Sequence, residues 1–282
     1  MSKAKELTPE QFRKMQLTEL DMLVEFDKVC RRHKINYVLF GGSLLGAVRH
    51  KGYIPWDDDA DIGMLRQDYE RFKKHLNELD PAVCYFQDHE TDPEFRWGYG
   101  KLRRTGTKYV RVGQEHLKCK TGIFVDVFPM DDVPKSLIGQ ILQDKHCYCL
   151  RKILWSEVAK YNTKGFWKIW FTFLSKIPVS VPFSQFKIYE KCSRNRTPNR
   201  VRCLAFPATG TLYKKNPIRE RYSMPKSWFT DRAEYSFEGK KLYSSRDYDT
   251  VLKYIYGDYM KIPDEKGREQ HSPFSEIKFQ DE

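Results

Sequence analysis

Apolar residues recur with two different periods along the first part of the chain. Residues Thr8 to Gln11 have the form of a helix-capping box, with proline at the first helical position. The helix that begins there is predicted to end near Arg31, and its apolar residues recur at helical spacing: Phe12, Met15, Leu20, Leu23 and Val24. A second helix with the same kind of spacing is predicted from about Arg66 to Leu79.

Short apolar runs between these helices predict strands. The clearest run is Tyr37 to Phe40, which is rich in β-branched and aromatic residues and is ended by glycines. Further strands are predicted near Val83–Gln87, Trp97–Arg103 and Gly122–Phe128. Helices and strands therefore alternate, which predicts an α+β fold with a small mixed sheet flanked by helices.

The pattern changes after about residue 134. Residues 137–177 are predicted to be helical, and the part from Gly165 to Lys176 is rich in aromatic residues and lysine. This part is too short, and too interrupted by lysine, to span a bilayer. It is either a buried helix of a second subdomain, which we favour, or a helix in the membrane interface with tryptophans at headgroup level and lysines on anionic lipid.

The last part of the chain is predicted to be ordered again from Trp228 onward. A strand is expected from Phe237 to Tyr243, followed by a helix from Tyr248 to Tyr256 with Val251, Leu252 and Ile255 facing inward. No internal repeat is present.

Composition narrows the choice of partners and compartment. The 282 residues have a formal net charge of +12, which suits nucleotides, anionic lipid headgroups, phosphate-bearing glycans or nucleic acid. The seven cysteines are scattered without a Cys-x-x-Cys pair, which predicts a reduced, cytosolic protein without zinc site or disulfides. The polar first residues lack an apolar segment, so no signal peptide is expected.

A glycine pair follows the strand at Tyr37 to Phe40. Gly41 and Gly42 allow a tight turn, and the helix predicted to begin at Ser43 would point its first backbone amides back at that turn. Such a helix start attracts phosphate, and the Ser43 hydroxyl could cap the helix or contact a phosphate oxygen. An ordinary Gly-Gly-Ser turn is the alternative.

Four aspartates crowd into the five positions after Trp56. If Trp56 to Met64 is a strand, its period of two places Asp57, Asp59 and Asp61 on one face. Like charges on one face repel, and carboxylates without nearby cysteine or histidine favour Mg²⁺ or Mn²⁺ over zinc. The alternative is a solvated acidic turn after Pro55, which the apolar flanking residues disfavour.

One further aspartate lies inside an apolar run. Asp126 is in the middle of the predicted strand Gly122–Phe128, and a buried unpaired carboxylate is costly unless a metal or a cation accompanies it. Asp126 could also be a hydrogen-bonded core residue. Asp131 and Asp132, after Pro129, are predicted to lie in a loop.

Several segments together resemble one family. The run GGSLLGAVRHKGYIPWDDDADIGM, residues 41–64, closely resembles the signature of the LicD family, a branch of the nucleotidyltransferase-fold superfamily. That family includes bacterial phosphocholine transferases and is related to the fukutin-type ribitol-phosphate transferases. The resemblance extends to Lys101-Leu102-Arg103 with Thr107, to residues 125–131, and to residues 256–260 followed by Pro263, Arg268 and His271.

The resemblance implies a Mg²⁺-dependent transferase with a CDP-linked donor such as CDP-choline. Its diphosphate would lie over Gly42 and Ser43, and the metal would be held by Asp57, Asp59, Asp61 and Asp126. The catalytic residues would be Asp59, Asp61 and Asp126, the last completing the metal site or taking the proton from the acceptor hydroxyl. The acceptor would be a phosphate-bearing or lipid-linked glycan, and CMP would leave.

The same resemblance implies further contacts and a division of the chain. The nucleotide would be bound by Gly41, Gly42, Ser43, Arg49, Trp56, Lys101, Arg103 and His271. Residues 1–134 would form the nucleotidyltransferase-like catalytic core. Residues 135–225 match no motif of that family, and their composition alone predicts a mainly helical subdomain, with membrane or acceptor contact through residues 165–177 as the alternative to a buried helix. Residues 226–282 would return to the active site, and the protein would work in the cytoplasm or at the inner face of the cytoplasmic membrane.

Three alternatives stay open from the sequence. The donor could be a CDP-alditol such as CDP-ribitol or CDP-glycerol, because no residue can be placed in the pocket for the alcohol. The basic charge permits an RNA nucleotidyltransferase, but no RNA-binding motif is found, and no nucleic acid is expected. A catalytically inactive scaffold is the third, and the intact aspartates count against it.

Overall fold

A computed structural model of the protein describes residues 4–193, 199–207, 215–218, 220–264, 268 and 273–280. The first helix, α1 (Pro9–Arg32), begins at the capping box: Thr8 Oγ1 accepts a hydrogen bond from the amide of Gln11, whose side chain accepts one from the amide of Thr8. Its apolar stripe packs on the sheet, and Met15, Leu23 and Phe26 are buried. The helix prediction is confirmed.

The elements that build the site follow in a short stretch of chain. Strand β1 (Val38–Leu39) leads into helix α2 (Gly41–Arg49), and strand β2 (Asp61–Leu65) leads into helix α3 (Arg66–Lys73). After a 3-10 turn at Leu76–Glu78 come strands β3 (Cys84–Gln87), β4 (Gly100–Arg104), β5 (Lys108–Arg111) and β6 (Phe124–Asp132).

Three helices and two short strands follow. The helices are α4 (Leu137–Asn162), α5 (Gly165–Leu174) and α6 (Ser180–Ser193), and the strands are β7 (Arg200–Arg202) and β8 (Met224–Pro225). The remaining elements are helix α7 (Ser227–Thr230), strands β9 (Arg232–Phe237) and β10 (Lys240–Ser245), helix α8 (Tyr248–Tyr256) and strand β11 (Phe274–Lys278).

The central sheet is mixed and joins the two ends of the chain. Its strand order is β3-β4-β6-β2-β1-β10-β9, with β7 paired to the end of β6 and β8 paired to β7. The pairs β2–β6 and β1–β10 are parallel, and the other pairs are antiparallel. Strands β5 and β11 form a separate antiparallel pair. The predicted α+β fold, a mixed sheet flanked by helices, is confirmed.

Several sequence-based boundaries were wrong. The strand predicted from Trp56 begins only at Asp61, because the chain turns after Pro55, with the Asp57 amide donating to the Ile54 carbonyl oxygen over 3.0 Å. The second helix ends at Lys73 rather than near Leu79. The strand predicted at residues 237–243 is a hairpin, β9 and β10, that turns at Glu238 and Gly239, both with positive φ.

Asp131 and Asp132 lie in strand β6, not in a loop. Asp131 is fully buried. Both oxygens of its carboxylate accept hydrogen bonds of 2.8 Å from Arg66, which offset the cost of burying the charge. Asp132 pairs with Lys226 at 3.1 Å. Cation partners on α3 and before α7 therefore replace the solvent that a loop would have supplied.

Helix α5 is not buried as favoured from the sequence. It packs beside α4, with Phe171 against Trp155, and most of its other apolar side chains are exposed. In the part of the chain that the structure describes, no helix combines the length and hydropathy needed to cross a bilayer.

Candidate active site

A cavity of about 510 Å³ lies against the sheet beside the start of α2. One part of its wall carries the carboxylates Asp59, Asp61 and Asp126 together with Gly41 and Arg111. A second part of the wall is aromatic or basic, namely Tyr99, Phe128, Arg202, Phe206, Arg221, Tyr222 and Tyr254, and the wall is completed by Phe40, Met130, Cys203, Pro207, Ser223 and Met224. The cavity wall thus combines residues from positions 40–130, residues from positions 202–224 and Tyr254 of α8.

Parallel pairing of β2 and β6 brings the carboxylates together. Asp61 lies opposite Asp126 in the register, and the Asp126 amide donates a 2.8 Å hydrogen bond to the Ala60 carbonyl oxygen. Asp59, Asp61 and Asp126 each offer an oxygen within 4.8 Å of the others, a spacing that could hold a metal ion. The predicted convergence of these three side chains across more than sixty positions of sequence is observed.

Asp57 does not belong to that group. Because residues 57–60 form a loop rather than a strand, Asp57 groups with Asp58 and Asp59 in a second, adjacent set of carboxylates. Its backbone oxygen accepts a 3.0 Å hydrogen bond from Gln16 Nε2 of α1, which fixes the loop. Asp59 is common to both sets, so the loop places two groups of carboxylates side by side.

The electrostatics of the site favour a cation. Burial, followed by the charges of Asp126 and Asp58, raises the pKa of Asp59 to about 6. Burial, followed by the charges of Asp59 and Asp126, holds the pKa of Asp61 well above its ordinary range. The surrounding charges and burial therefore oppose the ionisation of Asp59 and Asp61, and a divalent cation among the three carboxylates would relieve that cost.

Lys101 provides part of the compensating charge. It lies on β4 opposite Asp126, donates a hydrogen bond to Asp126 Oδ1, and is 3.3 Å from the centre of the Phe124 ring. Burial lowers the pKa of Lys101 to about 7, against the raising effect of Asp126. Lys101 is therefore the hydrogen-bond partner of the Asp126 carboxylate.

The glycine pair forms the first turn of α2 rather than a turn before it. Gly41 has φ +56°, and a Cβ there would lie 2.9 Å from Asp61 Oδ2. A Cβ on Gly42 would overlap Asp57 Oδ2. Both glycines therefore let the aspartate segment approach the start of the helix, where amides lack intrahelical acceptors.

Ser43 connects the helix to the metal-site strand. Its buried hydroxyl accepts a 2.8 Å hydrogen bond from the Asp61 amide, so it fixes the position of Asp61. The N-cap of α2 is Phe40, without a side-chain cap, so Ser43 is not the predicted capping residue. Its predicted phosphate contact stays a prediction.

Residues 34–175 match the family described as LicD/FKTN/FKRP, nucleotidyltransferase domain. The chain is 30% identical over 274 residues to the lipopolysaccharide cholinephosphotransferase LicD of Haemophilus influenzae, an alignment that covers 92% of this chain and 95% of that protein. The chain belongs to the LicD family. It is therefore an enzyme, a phosphotransferase, and the resemblance stated from its motifs is confirmed.

Two other proteins are similar over shorter lengths. An uncharacterized protein of Rickettsia prowazekii, RP689, is 26% identical over 149 residues, 53% of this chain and 51% of that protein. The human ribitol 5-phosphate transferase FKRP is 56% identical over 34 residues, 12% of this chain and 7% of that protein. The FKRP similarity is therefore high but confined to one segment.

Of the predicted nucleotide contacts within the described residues, only Gly41 lines this cavity, and Arg49 and Trp56 contact the C-terminal segment instead. Arg49, at the far end of α2 from the glycines, donates a 2.6 Å hydrogen bond to the Tyr259 carbonyl oxygen. Trp56 is half-buried, with the Arg268 guanidinium 4.5 Å from the centre of its ring. Among the described residues, both act on the C-terminal segment; a role in nucleotide binding stays a prediction.

Arg103, another predicted nucleotide contact, forms its described hydrogen bonds within the protein. Arg103 donates to Gln87 Oε1 at 2.7 Å and to the Gly122 carbonyl oxygen at 2.8 Å, so its guanidinium holds β3 and the start of β6 together. With Lys101 it lines a small cavity that shares Tyr99 and Arg111 with the larger one. His271 lies outside the described residues.

Sequence reasoning missed Arg111. It ends β5, lines the cavity beside the carboxylates, and its buried Nε has no hydrogen-bond partner within the described residues. Burial alone would lower its pKa, but Asp126 together with Tyr99, Tyr109 and Asp59 outweighs that effect and raises it. No local pattern marks Arg111, because its position depends on β5 pairing with β11, more than 160 positions away.

Sequence reasoning also missed the aromatic and basic wall. Tyr99, Phe128 and Phe206 contact one another with ring centroids 4.8–5.4 Å apart. Arg202 is buried in an ion pair of 2.7 Å with Asp144 and lines the same cavity. Phe128 lies in the family-like segment 125–131, but Tyr99, Arg202 and Phe206 come from segments without a recognisable motif.

Proposed function

We propose that this LicD-family phosphotransferase uses Mg²⁺ to move phosphocholine from a CDP-linked donor to a glycan hydroxyl, releasing CMP. The acceptor would be a cell-surface glycan or its lipid-linked precursor. The convergence of Asp59, Asp61 and Asp126 beside the start of α2 carries this proposal. The similarity over almost the whole chain to a lipopolysaccharide cholinephosphotransferase supports both the transferred group and the kind of acceptor.

Asp59, Asp61 and Asp126 would hold the metal ion. Their oxygens are hard ligands, no cysteine or histidine among the described residues belongs to the group, and the spacing suits a small divalent cation, Mg²⁺ or Mn²⁺. When bound, the ion would neutralise charge on the donor phosphates. Asp57, in the adjacent set, would contribute to the field rather than to the same group of ligands.

The chain's own residues would bind and align the reactants. The first amides of α2 and the Arg111 guanidinium would bind phosphate oxygens of the donor. The acceptor oxygen would attack the phosphorus that carries choline, and the bond to the CMP oxygen would break with its electron pair. Asp126, held by Lys101, would take the acceptor proton if it is not occupied as a ligand.

The aromatic wall favours choline over an alditol. A quaternary ammonium is attracted to ring faces, and Tyr99, Phe128 and Phe206 form an aromatic group on the cavity wall. Hydrogen-bonding side chains of the kind that a polyol requires, Arg221, Tyr222 and Ser223, also line the cavity and support the alternative. A CDP-ribitol or CDP-glycerol phosphotransferase is the second candidate, supported by the 34-residue similarity to FKRP.

Turnover of defined donors tests the proposal. CMP release would be measured with CDP-choline, CDP-ribitol and CDP-glycerol, with Mg²⁺ and a membrane-glycan extract as acceptor, for wild type, Asp59→Ala and Asp61→Ala. We expect Mg²⁺-dependent release with CDP-choline that both variants lose. Release with an alditol donor alone would favour the second candidate. Failure with all three donors, in a folded protein that binds Mg²⁺, would reject the CDP-alcohol reaction.

A further inference from the structure

Helix α5 exposes large apolar side chains to an unusual degree. Phe166, Trp167, Ile169, Trp170 and Phe173 are 69%, 58%, 72%, 43% and 63% exposed. Surface apolar residues are ordinary when scattered singly, but five within eight positions form a patch that marks an interaction surface. We call these five residues, with Lys164, Lys168 and Lys176, the α5 surface.

The helix directs its apolar stripe away from the protein. Phe166, Ile169, Trp170 and Phe173 have the i, i+3, i+4, i+7 spacing of one helical face. In a globular domain that face covers the core, whereas here Phe171, on the opposite side, packs on Trp155 of α4 with ring centroids 5.5 Å apart. The stripe is therefore fully formed and open to an external apolar phase.

The charge around the stripe indicates what kind of partner covers it. From residue 158 to residue 189 the sequence contains no aspartate or glutamate, but it contains Lys160, Lys164, Lys168, Lys176 and Lys187. Lys164, Lys168 and Lys176 of the α5 surface are exposed. Tryptophan and lysine together suit the boundary between acyl chains and anionic headgroups, where rings enter the interface and ammonium groups remain in water.

Charge also disfavours a protein as the occupant. A second copy of the chain would bring the same lysines against one another, and protein interfaces are depleted in lysine. An anionic bilayer supplies the apolar layer and the negative charge together. Because α5 is a ten-residue helix with lysines at its flanks, it would lie along the surface rather than cross it.

We propose that the α5 surface docks the protein on an anionic lipid bilayer, with α5 lying in the interface. Docking would bring the cavity to a lipid-linked acceptor. Only this purpose rests on the proposed function. The docking itself depends on the exposed side chains and their charge, so it can be tested without any turnover.

Vesicle flotation tests the docking. Full-length protein would be mixed with vesicles of phosphatidylcholine alone or with phosphatidylglycerol added, at low and high salt. We expect flotation with the anionic vesicles that weakens with salt. Each of Lys164→Gln, Lys168→Gln and Lys176→Gln should weaken binding about fivefold. A combined Phe166→Ser, Ile169→Ser and Phe173→Ser variant should lose binding roughly tenfold or more.

Matched variants separate the α5 surface from apolar residues elsewhere. Leu17→Ser and Ile262→Ser remove apolar side chains that are also exposed, 43% and 54%, but lie outside the α5 surface. Both should float like wild type. Brominated lipid should quench wild-type tryptophan emission, and Trp167→Phe with Trp170→Phe should abolish most of the quenching while preserving flotation.

Four outcomes would overturn the docking proposal. They are no flotation of wild type with anionic vesicles, equal flotation of the triple serine variant, equal binding to neutral vesicles, and a dimer in solution that the serine variant disrupts. CMP release from a soluble acceptor serves as the independent readout. Flotation without CMP release would reject the proposed function and leave the docking intact, and the reverse result would do the opposite.

Discussion

The carboxylate site and the α5 surface depart from the ordinary distribution of residues in opposite directions. Beside α2 the protein buries Asp126 and half-buries Asp61, whereas on α5 it exposes Trp167, Ile169 and Phe173. Burying charge and exposing apolar area both cost stability, unless a partner from outside the chain compensates for them. We therefore propose that different partners complete the two regions: a cation with phosphate at one, and lipid at the other.

The two regions also differ in how firmly the fold holds them. Asp61 and Asp126 lie on neighbouring strands of the central sheet, and Ser43 and Lys101 fix them further. Helix α5 packs beside α4, and Phe171 is its only side chain classed as buried among the described residues. Catalysis requires side chains held in fixed positions, as at the carboxylate site. Contact with a lipid surface, as proposed for α5, tolerates a helix that is held less firmly.

The largest effect is expected from neutralising one carboxylate of the site. Asp61→Asn should lower the rate of CMP release about 10³-fold, because several kcal/mol of charge stabilisation depends on the bound cation. Asp132→Asn is the matched control, since Asp132 lies on β6 near the site but pairs with Lys226 outside the cavity. Similar losses in both variants would mean that the strand, not the cavity, is sensitive.

The second prediction compares two phenylalanines of α5. Phe171→Ala should lower the free energy of unfolding by about 3 kcal/mol, because it leaves a cavity against Trp155. Phe173→Ala, two positions away and 63% exposed, should change it by less than about 0.5 kcal/mol and weaken vesicle binding instead. Urea unfolding and flotation measure the two quantities.

The same pair defines the outcome that would break the comparison. If Phe173→Ala destabilised the protein as much as Phe171→Ala, the stripe would be covered by the protein itself. The distinction between the two faces of α5 would then be wrong, and membrane docking would lose its basis.

Periodicity and motif together predicted much of the fold and part of the site. Helix α8 was predicted with its observed bounds, and the capping box at Thr8 places the start of α1. Asp126 could be proposed because it is an acidic residue within an apolar run, a local conflict that requires an external partner, whereas Asp59 and Asp61 were proposed from the crowding of aspartates and an assumed strand alternation. Local patterns are sufficient where the reason for a residue is local.

Other features depend on contacts between distant parts of the chain. Arg111 is positioned by the pairing of its strand with β11, and Arg66 forms an ion pair with Asp131. Neither contact can be inferred from the neighbouring residues in the sequence. Helix α5 shows the same limit: its spacing predicts an apolar stripe, but only the packing against α4 determines which side is covered. Asp57 lies outside the group of Asp59, Asp61 and Asp126, because the chain turns after Pro55 and does not form the strand whose alternation was assumed.

The third prediction concerns Arg111, the cation that the sequence did not mark. Arg111→Gln should lower kcat/KM for the CDP donor about 10- to 100-fold, since a hydrogen bond to a charged group contributes about 1.5–3 kcal/mol. Arg111→Lys should recover part of the loss by keeping the charge. Arg246→Gln, which removes an exposed arginine paired with Asp231, should leave kcat/KM unchanged. An unchanged value in Arg111→Gln would remove Arg111 from donor binding.

The smallest effect is expected in the pH dependence of unfolding without metal. The pKa of Asp59 is raised from 3.8 to about 6, so between these values the folded protein retains a proton that the unfolded chain has lost. Its contribution to stability is therefore present at low pH and is lost as pH rises towards 6. With EDTA, Asp59→Asn should melt a few degrees above wild type at about pH 7 and close to it at about pH 4.

Adding Mg²⁺ should reverse that difference at about pH 7, because the cation stabilises the ionised carboxylates of wild type and the asparagine variant binds it less well. The triple serine variant of the α5 surface should show the wild-type response to pH and to Mg²⁺, since it contains the unaltered carboxylate site. A response to Mg²⁺ that is equal in wild type and Asp59→Asn would place the cation elsewhere. The buried charges would then be compensated within the chain, and only the α5 surface would still require an external partner.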